Sequence, residues 1–164
     1  MSKIIAVQQL SAEWITQESF QPYGQFIIAS ADDKPYDITD AQLNLQNGIP
    51  RFYIMRLYNK GRKFHNITRH VQCTQCLGSL EGKDWKIAVA PPSELEQPAI
   101  EEIRAFRIPG NGFIKLEQGT WHAGPYFDHN VVEFYNLELS NTNDIDHFTH
   151  NFRKSHNLEF EIIE

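Results

Sequence analysis

Apolar positions in this chain come in short bursts separated by Gly, Pro and Asn, and within the bursts they tend to alternate with polar ones. A period of two is the mark of a strand with one buried face, because successive strand side chains point to opposite sides of a sheet. RFYIMRLY at 51–58 is dense in aromatic and branched residues and reads as a strand. WKIAVA at 85–90, closed by Pro91 and Pro92, reads as another. IRAFRI at 103–108 alternates apolar and basic residues before the turn PGNG at 109–112. FIKL at 113–116 follows at once, so these two segments are expected to pair as a hairpin. Two further strands fit between His65 and Leu80, and VVEFYNLEL at 131–139 alternates over a longer span.

Helix signals are few. Thr16 offers an N-cap hydroxyl with Glu18 in the first turn, and Pro22 and Gly24 end that helix after little more than a turn. Residues 31–50 form a polar, strand-poor linker, and 91–102 form a second one rich in proline. Many short strands with turn residues between them predict an all-β sandwich or barrel with one or two short helices. The expected organisation is a single domain over 1–164, with the linker at 31–50 as a loop and 140–164 as a C-terminal extension.

Composition narrows the function. The 164 residues, 41% hydrophobic and 22% charged, suffice for one core. A net charge of -6 without any Lys/Arg run opposes nonspecific binding to nucleic acid or to an anionic membrane surface. The first residues lack the charge and apolar pattern of a signal peptide, and no apolar run is long enough to span a bilayer. The expected compartment is therefore cytoplasmic, with Cys73 and Cys76 as reduced thiols. Their spacing suits neither a shared strand face nor a tetrahedral zinc site, for which no second Cys pair exists.

Candidate chemistry gathers at two places. GTWHAGP at 119–125 sets Trp121 and His122 between glycines, and the run from Gly112 to Tyr126 resembles the second motif of cupins, small β-barrels. Glu117 and Tyr126 stand where that motif has Pro and Asn. HNITRHVQCTQ at 65–75, followed by Gly82, resembles the first motif, with Thr68 in place of its first His, His70 at its second and Gln75 in place of its Glu. His70, Gln75 and His122 would then form a sparse nitrogen–nitrogen–oxygen set. A divalent metal is one occupant for it, and an anionic or polar substrate bound without any metal is the other. His147, His150 and His156 read as scattered surface histidines of the C-terminal tail.

A wider resemblance embraces both motifs. ITQESFQPYGQFI at 15–27, the R-H-x4-Q of Arg69 to Gln75, the strand at 85–91, and the ordered run Ala105-Phe106, Gly112-Phe113, Gly119-Thr120-Trp121-His122 are similar to the ureidoglycolate lyase family. Glu133-Phe134 and Glu138 fall where that family has acids. The resemblance implies a double-stranded β-helix (cupin, jelly-roll) fold, a homodimer, and a lyase that splits ureidoglycolate into glyoxylate and urea in purine catabolism. It implies His122 and His70 as catalytic residues, with Gln75 and Trp121 lining the site. Arg56 or Arg69 is suited by its fork geometry to hold the substrate carboxylate. It also implies a divalent ion, nickel, zinc or manganese, on His70, Gln75 and His122. Three positions depart from the family: Thr68 replaces a Glu, Ala123 a second His and Leu139 an Arg. These departures keep open a second reading, a divergent cupin that binds a small carboxylate without turning it over.

Overall fold

A computed structural model of the chain describes residues 2–164. The strands run in the order β1 (Ala6–Trp14), β2 (Gly24–Ile27), β3 (Pro50–Tyr58), β4 (Lys63–Phe64), β5 (Asn66–Arg69), β6 (Gln75–Ser79) and β7 (Gly82–Ala90). They continue as β8 (Arg104–Gly110), β9 (Phe113–Leu116), β10 (Trp121–Tyr126), β11 (Val131–Leu139), β12 (Phe148–Asn151) and β13 (Leu158–Ile163). Two short helices, α1 (Thr142–Ile145) and α2 (Phe152–His156), flank β12. One sheet has the order β12-β5-β10-β7-β8-β1-β13-β4 and the other β2-β9-β6-β11-β3. These are the curled, facing sheets of a cupin-type barrel.

The alternation of the sequence decides which side chains fill it. On β7, Trp85, Ile87 and Val89 point between the sheets, where they meet Leu77, Ile114, Val132 and Phe134 in one core. Trp85 packs edge-on against Phe134, with ring centroids 5.1 Å apart. The intervening Ala88 and Ala90 face the other way, into a second core with Ala105, Trp121, Phe152 and Phe160. The larger sheet curls to enclose that second core, bringing β4 within one residue of β5, which lies at the opposite end of its strand order.

Three expectations are corrected. The strands at 103–108 and 113–116 do not form a hairpin: β8 pairs with β7 and β1, whereas β9 pairs with β2 and β6 in the opposite sheet. Gly110 is still bound to the first sheet, so close to Gly82 that an added Cβ would lie 2.1 Å from its carbonyl carbon. The turn at 109–112 therefore carries the chain across the barrel, which lets Ile108 and Ile114 enter one core from opposite walls. The short helix expected at Thr16 is instead a run of hydrogen-bonded turns. Its backbone amides are capped by a reciprocal Thr16–Ser19 pair at 3.0 Å, and it buries Phe20 completely before Gly24 ends it at φ +155°. Finally, residues 140–164 are woven into the sheet rather than trailing as a tail, because β13 pairs in parallel with β1 and β12 pairs with β5. The loop at 31–50 carries no strand before Pro50, as its composition suggests. No helix among the described residues is long and apolar enough to cross a membrane.

Candidate functional site

β10 touches β5 at one pair only, His122 with Thr68, and at its other edge His122 pairs with Val89. Directly paired residues share a face, so His122 and Thr68 lie on the barrel side with Val89. Their neighbours Trp121 and Arg69 lie on the opposite side, where the Arg69 guanidinium stacks 4.5 Å from the Trp121 ring. His70, one residue beyond β5, returns to the barrel side. Its ring centroid is 5.0 Å from that of His122.

The structure therefore brings His70 and His122 together, and Gln75 joins them. All three line one narrow cavity, with Cys73, Glu117 and Thr120. Arg69, Trp121 and Arg56 are not brought there. Arg69 donates to the carbonyls of Ser93 and Leu95 at 3.0 and 2.9 Å, and Trp121 is buried in the second core. Arg56 lies on the outer face of β3, its side chain 63% exposed and bound to Glu133 at 2.8 Å. Period two explains both arginines: each occupies the strand face turned away from the histidines.

Both imidazoles have a defined orientation. His70 Nδ1 lies 2.5 Å from the backbone oxygen of Asp146, and His122 Nδ1 lies 3.5 Å from that of Thr120. A carbonyl oxygen only accepts, so each Nδ1 carries the hydrogen and each Nε2 keeps a free lone pair. Asp146 is fixed in turn, since its carboxylate accepts the amide hydrogens of Val71 and Gln72, both at 2.8 Å. Burial holds the pKa of His70 below the usual histidine value. Burial, with the neighbouring His70, drives that of His122 down to about 3. Both rings are neutral at neutral pH.

Gln75 completes an unusual set. Its Nε2 donates to Asn136 Oδ1 at 3.0 Å and to Glu138 Oε2 at 3.4 Å, while its buried Oε1 has no partner. The cavity thus collects three lone-pair donors: two imidazole nitrogens and an amide oxygen. These donor types suit a divalent cation; the carboxylate of Glu117, which also lines the cavity, is already paired with Lys115. Among the described residues, no three His, Cys, Asp or Glu side chains converge as a metal-binding group. Cys73 and Cys76 are both free and buried, and burial pushes the Cys76 thiol up to about 12, where it is inert.

On the other side of His122, β5 and β10 part and leave a cleft of about 350 Å³. Lys60, Lys63, His65, Thr68 and His147 line it, and no carboxylate does. Thr68 Oγ1 is paired with Thr149 Oγ1 at 2.9 Å. His147 corrects the reading of the C-terminal histidines as scattered: its ring centroid is 5.7 Å from that of His70.

Sequence reasoning missed Lys60, His147 and Glu138 as site residues. Glu138 was within reach of it, because Val132 and Phe134 face the barrel and the alternation of 131–139 continues through Asn136 to Glu138. That carboxylate is 2% exposed and accepts from the Tyr53 hydroxyl at 3.3 Å. His147 had no such signal, since only the docking of β12 against β5 carries it to the cleft.

No curated protein matches the sequence. Among solved structures, a dTDP sugar isomerase from Desulfovibrio desulfuricans aligns over 79% of this chain and 85% of its own, with 11% identity and a TM-score of 0.47. The family model described as ureidoglycolate lyase matches residues 37–157. Since that segment is well over half of the chain and takes in every residue lining both cavities, the chain belongs to the ureidoglycolate lyase family.

Proposed function

We propose that this protein is a lyase that cleaves ureidoglycolate, or a closely related 2-hydroxy-2-ureido acid, into glyoxylate and urea. The observation that carries the reading is the pair of neutral imidazoles, 5.0 Å apart, of which His122 also lines a cleft that holds cations and no carboxylate. The family membership supports the reaction class.

The chemistry is the collapse of a hemiaminal. His122 Nε2 takes the hydroxyl proton, the C–O bond becomes a carbonyl, the C–N bond breaks, and the resulting imidazolium returns the proton to the departing urea nitrogen. The depressed pKa keeps the ring in the base form at neutral pH, and substrate charge at the site would have to raise its basicity during the transfer. His70, oriented by Asp146, holds its lone pair toward the same space. Gln75 Oε1, buried without a partner, faces the narrow cavity behind His122 rather than the cleft. A divalent ion such as nickel, zinc or manganese, when bound, would be held by His70, Gln75 and His122 and would polarise the substrate hydroxyl.

Incubating purified protein with ureidoglycolate and following glyoxylate tests the reading. His122→Asn and His70→Asn are each expected to lower kcat at least a hundredfold. Full activity in both variants would refute the site assignment. Absence of turnover with every divalent metal supplied would refute the activity.

One observation favours the alternative of a cupin that binds a small carboxylate without turnover. Thr68, paired with Thr149, occupies the position of a family Glu and leaves the cleft without an acid. Thermal stabilisation by glyoxylate without any turnover would select that alternative.

A further inference from the structure

The two arginines suited to hold a substrate carboxylate face away from the histidines, so the cleft needs another cation. Lys60 stands at its rim, with Nζ 4.9 Å from the centroid of the buried Tyr126 ring. Among the described residues, no carboxylate lies within ion-pairing distance of it. The other rim cations are less free: Lys63 and His65 act on Glu159, whose carboxyl is held below its usual range chiefly by Arg153 and partly by these two.

The backbone that presents Lys60 is locked on both sides. Asn59 Nδ2 donates to the carbonyls of Phe127 at 2.9 Å and His129 at 3.3 Å, and Asn59 Oδ1 accepts the amide hydrogen of Gly61 at 2.9 Å. Gly61 takes φ +79°, which a glycine adopts without strain. Lys60 is exposed as a residue, while its ammonium rests against the Tyr126 ring and burial lowers its pKa. An unpaired cation on an anchored backbone, lining the same cleft as His122, is a receptor for an anion.

We propose that Lys60 is the residue that seats the substrate's carboxylate and so sets specificity for small 2-oxo and 2-hydroxy acids. Its ammonium binds the carboxylate at the rim, Tyr126 supplies the wall behind it, and the reacting carbon is directed inward to His122. The inference deepens the lyase reading by naming the anchor, and it depends on that reading only for the identity of the substrate.

The test uses glyoxylate as an anionic probe and urea as a neutral one, each titrated calorimetrically into wild-type protein, Lys60→Met, Lys60→Gln and Lys60→Arg. Loss of a charge-assisted contact should weaken glyoxylate binding about tenfold to a hundredfold in the Met and Gln variants. Urea binding should be unchanged in both, and the Arg variant should recover most of the glyoxylate affinity. Superimposable melting curves exclude a folding defect. Glyoxylate binding that is equal in wild type and both uncharged variants would overturn the proposal. So would wild-type protein that does not bind glyoxylate at tens of millimolar. Lys60-dependent binding in a protein with no lyase turnover would sink the lyase reading while leaving the anchor in place.

Discussion

His122 should make this protein sensitive to mild acid, and the size of the effect can be worked out. In the folded state its pKa lies at about 3, against about 6.5 for an unperturbed histidine. The folded value is the lower one, so on acidification the unfolded chain takes up the proton first. The folded state therefore keeps its full stability above pH 6.5 and loses it progressively as pH falls from there toward 3. Each unit within that window costs about 1.4 kcal/mol, so the step from pH 7 to pH 5 removes about 2 kcal/mol. Urea denaturation of wild type and His122→Asn at both pH values measures it. Carboxylates and the other histidines titrate in both proteins, so the difference between the two pH-induced losses reports His122 together with its coupling to His70. Wild type should lose about 2 kcal/mol more than the variant. An equal loss in both would refute the assignment of His122 as a neutral imidazole in the folded state.

Other outcomes follow from particular contacts. Arg56→Ala breaks only an exposed pair with Glu133, so neither stability nor lyase activity should change measurably, as read by melting and by glyoxylate release. Gly110→Ala would drive a Cβ to 2.1 Å from the Gly82 backbone, which cannot step aside; a loss of about 3 kcal/mol is expected in urea denaturation. Asp146→Ala leaves the amides of Val71 and Gln72 without their acceptor, which should cost about 1–3 kcal/mol. It also loosens the carbonyl that orients His70, so kcat should fall more than KM rises.

Much of the architecture was legible because it rests on local alternation. The strands at 51–58, 85–90 and 131–139 emerge where their period of two places them, and the G-x-W-H run leads directly to His122. The partners of each strand were less legible. Nothing in PGNG distinguishes a turn that folds a hairpin from one that carries the chain to the opposite sheet; that choice depends on which core Ile108 and Ile114 fill. The arginines show the same limit at the scale of the site. Guanidinium chemistry suits a carboxylate, but a strand has two faces, and only the pairing of β5 with β10 and of β3 with β11 fixes which one looks inward. Lys60 was overlooked because its importance lies in having no partner, a property that exists only once the surrounding carboxylates have been placed in space.

The wall formed by β10, β7 and β8 has apolar side chains on both faces, because Ile87 and Val89 belong to one core while Ala88 and Ala90 belong to the other. Neither core can melt without stripping that wall of half its packing, so the two behave as a single cooperative unit. His122 is carried by that doubly packed wall, while Lys60 and His147 stand at the cleft beside it. A substitution in either core would therefore reach the position of His122, whichever side of the wall it lies on.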